Sequence, residues 1–442
     1  MTVQLSDHFT PGRLLRFTLP SILMMVFMSI YSVVDGYFVS NFAGKTALAA
    51  VNLVFPYTMM LAAPGLMLGT GGSALIAKTL GEGNHRLAEQ QFSLFSYCAA
   101  GIGLMLTAVG YVSMPDICRL MGADGQLLEE AVLYGNILLI SLPGMTLQFA
   151  FQSLFAAAGR PQTGLAVIVA AGIANIVLDA LFVAAMHLGI AGAAWATTVS
   201  QLMGGLIPLG YFGRPNRSSL RLGRTVWMGR AVWQGSLNGL SELLSNISSS
   251  VVSMLYNTQL MRLAGENGVA AYSVLMYVNF VFVAIFVGFG VGVNPVVGYA
   301  YGAQNRPELR SLRRTSLLIV AVFAAGMTVL SEAAGPAIAD VFVGYDPELM
   351  AMTYRGFAVY SLSFLFAGFP ILGSAFFTGL NNGLISALIS VIRTLGFEVT
   401  MILVLPQLLG LDGVWLSVVV AEVCATIVTF GLFAACRRRY GY

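Results

Sequence analysis

Twelve stretches of predominantly apolar residues, each long enough to cross a bilayer as a helix, divide this chain and limit its fold more than any other feature. They run approximately over 14–40, 47–77, 92–113, 131–156, 164–187, 190–212, 235–261, 268–298, 315–335, 352–377, 384–408 and 412–436. About 20 apolar residues cover the hydrocarbon thickness, and backbone placed there must satisfy its own hydrogen bonds, which a helix does within one segment. Only 9% of the 442 residues are charged, against 57% hydrophobic, whereas soluble domains carry ~25% charged residues. The first span follows Arg13 and Arg16, is too long for a signal-peptide core and has no small-residue cleavage site after it, so it is expected to be retained. An all-α integral membrane protein with twelve transmembrane helices is the expected fold class.

The connections fix an orientation. With the N-terminus inside, seventeen Lys and Arg fall on the inner side, including Arg214, Arg217, Arg221, Arg224 and Arg230 between the sixth and seventh spans; Lys45, Arg119 and Arg262 are the three outside. Basic residues are retained in the cytoplasm, so both termini are expected there, with the chain in the cytoplasmic (inner) membrane. The net charge of +3 is then a matter of topology, and no nucleic-acid partner is implied. Of the four cysteines, Cys98 and Cys424 lie within spans, Cys436 at an inner span end and only Cys118 in an outer loop, so no disulfide framework is implied. The three histidines, His8, His85 and His187, lie in tails, loops or span ends and offer no catalytic or metal-binding set.

A repeat runs through the chain at an offset of 221. "GTGGSALIAKTLGEGN" lies over "GFGVGVNPVVGYAYGAQN", so that Gly69, Gly71, Gly81 and Asn84 match Gly290, Gly292, Gly302 and Asn305; Pro115, Gly135, Gly189 and Gly192 match Pro336, Gly356, Gly410 and Gly413. Each repeat holds six spans, an even number, so the halves are related by an axis along the membrane normal. The domains expected are an N-lobe (1–212), a basic cytoplasmic linker (213–234) and a C-lobe (235–442). Two pseudo-symmetric six-helix bundles facing one another suit a transporter that works by alternating access. "GTGGSA" resembles a dinucleotide fingerprint only loosely, since it lies inside a span without a preceding strand; close helix packing is the better reading.

Within this apolar background the polar residues stand out. Asp35 sits in "SVVDGYFVSN", with Tyr31 one turn before it. "ANIVLDALFV" places Asn175 and Asp179 four apart, on one helix face, and "WATTVSQ" adds Thr197 and Gln201. A carboxylate at the bilayer centre costs ~2.5–3.5 kcal/mol or more and persists where it faces a protein interior or a water-filled path. Carboxylate, amide and hydroxyl oxygens suit a hard cation such as Na⁺, and two carboxylates in one desolvated site equally favour reversible protonation. Asp35, Asn175, Asp179 and Thr197 are therefore the candidate cation site. The offset takes Asp35 to Tyr256, Asn175 to Gly396 and Asp179 to Thr400, so the carboxylates belong to the first half alone. The second half has its own set: Asn238, Glu242 and Asn246 on a polar stripe of the seventh span, Arg393 and Glu398 in the eleventh, and Glu422 in the twelfth. Arg393 is expected either to neutralise an acid on another helix, Glu242 or Glu422, or to belong with Glu398 and Glu422 to a substrate site.

The stretches "TLPSILMMVFMSIYSVVDGYFVSNFAGKTALAAVNLVFP", "GTGGSALIAKTLGEGN", "AAAGRPQTGLAVIVAAGIANIVLDALFVAAMHLGIAGAAWATTVSQ" and "NPVVGYAYGAQN" resemble the bacterial multidrug and toxic compound extrusion (MATE) family, in its MepA-like branch. The resemblance implies two lobes and export of organic cations or drugs against entering H⁺ or Na⁺. It matches Asp35, Asn175, Asp179 and Thr197 to the family's N-lobe cation site, and Glu242 to a glutamate of the seventh helix. Asn294 stands where many relatives have a glutamine, and the tenth span lacks the acid some members place there. No cofactor beyond the coupling ion is expected, and the chain is expected to act as a monomer among membrane lipids. The alternatives are a flippase for lipid-linked saccharides and an intramembrane enzyme using Asp35 and Asp179 as an acid pair.

Overall fold

Most helices start where the sequence supplies a cap, a proline or a glycine turn. In the computed structural model, which describes residues 4–216, 218–344 and 346–442, Thr10 accepts from the Arg13 amide ahead of Pro11 and opens α1 (Pro11–Ala43). There follow α2 (Lys45–Gly81), α3 (His85–Leu120), α4 (Gly125–Ala157), α5 (Pro161–Ala185) and α6 (Gly189–Gly213). A continuous stretch of 74 residues, Gly229–Gly302, then bends at Gly265, whose φ of 59° and ψ of −148° leave the helical region. Only glycine adopts such angles readily, so one unbroken run carries two spans, α7 (229–264) and α8 (266–302). The last four are α9 (Arg306–Val343), α10 (Pro347–Gly379), α11 (Gly383–Leu409) and α12 (Leu411–Tyr440). With the bend counted, there are twelve spans among the described residues. Arg217, one of the inner cations counted from the sequence, lies outside those residues.

The two halves are related as the offset requires. A Cβ on Gly81 would fall 2.2 Å from the Tyr299 carbonyl, and one on Gly302 would fall 2.0 Å from the Lys78 carbonyl; both members of the second contact are the offset mates of the first. In the same way Gly71 abuts Gly239 while Gly292 abuts Thr18. A contact i to j accompanied by its mirror is the signature of a two-fold relation. Asn84 and Asn305, also offset mates, cap α3 and α9 by accepting from Leu87 and Glu308 amides. Gly69, whose Cβ would meet the Ala150 backbone at 2.6 Å, confirms that the glycine-rich stretch serves helix approach.

Every one of these inter-lobe glycine contacts lies toward the face that carries both termini. His8 and Phe9 bind Glu308 at the start of α9, and Arg310 binds the Gly441 carbonyl, which places the two ends of the chain together. Asn294 donates to the Thr70 carbonyl and Asn381 to the Ala74 carbonyl across the same seam, at 3.1 and 3.2 Å. On the other side of the seam, Asn246, Ser249, Ser253 and Asn257 are exposed although they lie mid-span. The cleft between the lobes thus opens away from the termini, with the polar stripe of α7 on its wall.

The segment between the lobes packs on the first one. Leu220 is fully buried, the Gly223 amide donates to Ser93 Oγ at 3.0 Å, and Thr225 Oγ1 donates to the Gln90 carbonyl at 2.8 Å. The seventh helix begins at Gly229, six residues before the span boundary expected at 235. Arg230 and Gln234 make that first turn amphipathic, so hydropathy alone does not register it.

Candidate functional site

The first lobe brings its polar residues to one place by letting α1 approach α5. Gly172 on α5 leaves room for the Phe27 and Tyr31 rings of α1; a Cβ there would lie 2.4 Å from Phe27 Cε1. That approach sets Asp35 on α1 beside Asp179 on α5, each close enough to feel the other's carboxyl. Asp179 is fully buried and Asn175, one turn earlier, is 1% exposed. Two further groups come from α4: the Tyr134 hydroxyl lies beside Thr197 and near both carboxyls, and Gln148 lies beside Tyr31. The sequence did not point to Tyr134 or Gln148. α4 is buried nearly all round, so its polar residues form no stripe, and the only available signal was the presence of Tyr and Gln in an interior span.

The hydrogen bonds of this cluster are incomplete. Asp35 Oδ1, both carboxyl oxygens of Asp179, Asn175 Nδ2, Thr197 Oγ1 and Gln148 Oε1 are buried without partners. Buried polar atoms are usually paired, and these six gather around the two carboxyls in place of being spread along the lobe. The carboxyl and hydroxyl oxygens of Asp35, Asp179 and Thr197 are hard donors, which suit a proton or Na⁺ and not a soft metal, while Asn175 Nδ2 is a hydrogen-bond donor; among the described residues no cluster of three or more His, Cys, Asp or Glu could hold a metal ion. Both helices also widen just beyond their carboxylates, into π-helical turns at Val39–Ala43 and Ala180–Ala185. Such turns recur at functional sites because they re-aim a side chain by breaking the regular ladder.

The second lobe is built differently. Arg393, in a third π-helical turn, Ile392–Glu398, grips Glu422 with Nε at 2.9 and 3.0 Å and a terminal nitrogen at 2.6 Å. This is the inter-helix neutralisation foreseen as one option for Arg393. Glu398 lies near Tyr256 and Tyr272, whose rings stack at 5.1 Å, and enters no ion pair among the described residues. Glu242 is half-buried and unpaired, and Asn246 is exposed on the cleft side. Asn238 stands apart: its amide donates to Asn381 at 2.8 Å and accepts from the Gly383 amide, tying α7 to the α10–α11 turn. Gln201 accepts from Ser141 within the first lobe at 2.6 Å.

Two pseudo-symmetric helical lobes around a cleft, with a buried carboxylate pair in one of them, are the architecture of an integral membrane transporter of the two-lobe class. The chain belongs to the MatE family: the family model matches it twice, over residues 20–181 and 243–404, one match in each half. It is 26% identical over 426 residues to multidrug export protein MepA of Staphylococcus haemolyticus, covering 95% of this chain and 93% of that protein. MepA of Staphylococcus aureus strain MSSA476 is 21% identical over 426 residues, with 93% and 91% covered. Among solved structures, an outward-facing multidrug resistance MATE transporter superposes with a TM-score of 0.92 at 25% identity, covering 99% of this chain and 97% of that one. A MATE protein in complex with MaL6 gives the same TM-score at 24% identity, with 97% of both chains covered.

Proposed function

We propose that the chain exports organic cations across the cytoplasmic membrane by exchange with H⁺ or Na⁺, and that Asp35 and Asp179, with Asn175 and Thr197, hold the entering ion. The observation that carries this reading is the pair of neighbouring carboxyls whose buried oxygens lack partners. Two such groups cannot both stay ionised in low dielectric without a cation or proton, and one that enters and leaves gives the cycle its coupling. Export of drugs is what the names of the staphylococcal relatives state of those proteins, and the exposed Asn and Ser face of α7, with Glu242 as its one acid, is a polar wall suited to a cationic cargo. Residues 1–212 and 235–442 are the two rocking units, joined by 213–234, with both termini in the cytoplasm and the chain acting singly among lipids.

A lipid-linked saccharide would need cations for its pyrophosphate. Of the two arginines within the spans expected from the sequence, Arg393 is paired with Glu422 and Arg355 with Asp412, which speaks against that alternative. The test is efflux of a fluorescent organic cation from proteoliposomes with a pH gradient and a Na⁺ gradient imposed separately. One of the two should drive transport of unchanged cargo; transport driven by neither removes the antiport reading.

A further inference from the structure

Five arginines outside the transport path converge where α9 begins and α12 ends. Arg306, Arg310, Arg437 and Arg438, all exposed, line an open surface cavity of about 390 Å³ together with Gly441 and Tyr442. Arg313 stands over the Tyr442 ring at 5.4 Å, and its Nε is buried without a partner. Arg310 Nε donates to the Gly441 carbonyl at 2.9 Å, and Gly441 takes a left-handed φ of 76° against the Arg306 side chain. Among the described residues none of the five enters an ion pair. The acid in the first turn of α9, Glu308, is taken by His8 at 2.6 Å and the Phe9 amide at 2.9 Å.

Retention of basic residues on one side of the membrane explains why arginines occur near these helix ends. It does not require them to gather from two helices around one cavity, where like charges repel. Arg306 and Arg310 also occupy the first turns of α9, where the helix dipole disfavours cations and favours a bound anion. Further along the same two helices, within their spans, Leu318 on α9 and Ile427 and Phe430 on α12 are exposed and apolar. Guanidinium groups fork onto phosphate oxygens, and basic pockets at the ends of membrane helices suit lipid headgroups.

We propose that this cavity binds a phosphate-bearing anion, with the headgroup of an anionic phospholipid and free inorganic phosphate as the two sources of that chemistry. The site is independent of the ion and drug path described above. The test is native mass spectrometry of the full chain released from detergent in three arms: phosphatidylglycerol, phosphatidylcholine and inorganic phosphate. The unmodified protein should retain one phosphatidylglycerol at least tenfold over phosphatidylcholine, and the combined Arg306→Gln, Arg310→Gln, Arg437→Gln, Arg438→Gln variant should lose that preference. Retention of phosphate, with no preference between the lipids, assigns the cavity to the free anion. A melting curve in detergent shows whether the fourfold variant is folded, and Arg437→Gln with Arg438→Gln, at a helix end, repeats the test with less disturbance. Arg221→Gln with Arg224→Gln, on the linker, should retain the lipid. No retention of either anion by the unmodified protein, unchanged retention in the folded arginine variants, or equal loss in the linker control overturns the proposal.

Discussion

The two lobes share helix order, caps and glycine contacts, yet they treat their buried charges in opposite ways. In the C-lobe the acid of α12, Glu422, has its own arginine, held by three contacts of 3.0 Å or less. In the N-lobe the offset mates of those residues are Gly172 and Gln201: glycine where the other lobe has arginine, amide where it has carboxylate. The glycine lets α1 close on α5, and the carboxylates that meet there have no fixed counter-charge. A permanent ion pair has no need of a mobile ion, while an unpaired acid pair does. On the proposed function the ion cycle belongs to the N-lobe, while in the C-lobe the Arg393–Glu422 charge is paired within the protein and Glu398 and Glu242 stand outside any ion pair among the described residues.

The largest effect expected is at the unpaired acids. Asp35→Asn and Asp179→Asn should each reduce gradient-driven efflux to the level of empty liposomes, with expression and melting temperature close to those of the parent. Normal efflux from either variant would break the contrast between the lobes. Glu422→Gln should act on stability instead: it strands Arg393 in a largely buried site, at a cost of about 3 kcal/mol. Replacing both Arg393 and Glu422 by Met should recover most of that loss, as a purely structural pair requires; a doubly substituted protein that is stable but inactive would move the C-lobe acids into the mechanism. A smaller change is expected from Gly172→Ala, which presses a methyl on Phe27 and Tyr31 and costs about 1–3 kcal/mol by overpacking. Efflux should fall several-fold as α1 is displaced, and normal efflux would mean that the close approach does not set the carboxylates. Least of all should follow from Tyr256→Phe and Thr400→Val, the offset mates of the two aspartates. The Tyr256 hydroxyl is buried without a partner and Thr400 is exposed and bonded to its own helix, so rates within about twofold of the parent are expected, removal of an unpaired group being nearly neutral.

Much of this was legible from the chain alone, for physical reasons. A lone carboxylate in an apolar run is conspicuous because the membrane makes it costly, so Asp35 and Asp179 announced themselves. The offset held because the glycines at 71, 81, 292 and 302 serve backbone contacts that tolerate no side chain. Other features left no such trace. Tyr134 and Gln148 reach the site from a helix buried on nearly all sides, where polar residues follow no periodicity. The choice of Glu422 over Glu242 as the partner of Arg393 depends on which helices touch, and the π-helical turns depend on packing around the carboxylates. Asn238 read as part of a polar stripe, but its position at the inner seam gives its amide to Asn381 and Gly383.

If the Asp35–Asp179 pair holds the exchangeable ion, that ion and the cargo must favour different states, because differential affinity is what shifts a conformational equilibrium. The most direct measurement is the dissociation constant of a fluorescent organic cation for the purified protein, titrated with pH and, at constant ionic strength, with Na⁺. Binding should weaken as protons or Na⁺ fill the N-lobe pocket, and Asp35→Asn should abolish that dependence while Tyr256→Phe retains it. Affinity in the unmodified protein that is indifferent to both ions would contradict the account and leave the two aspartates as buried structural groups.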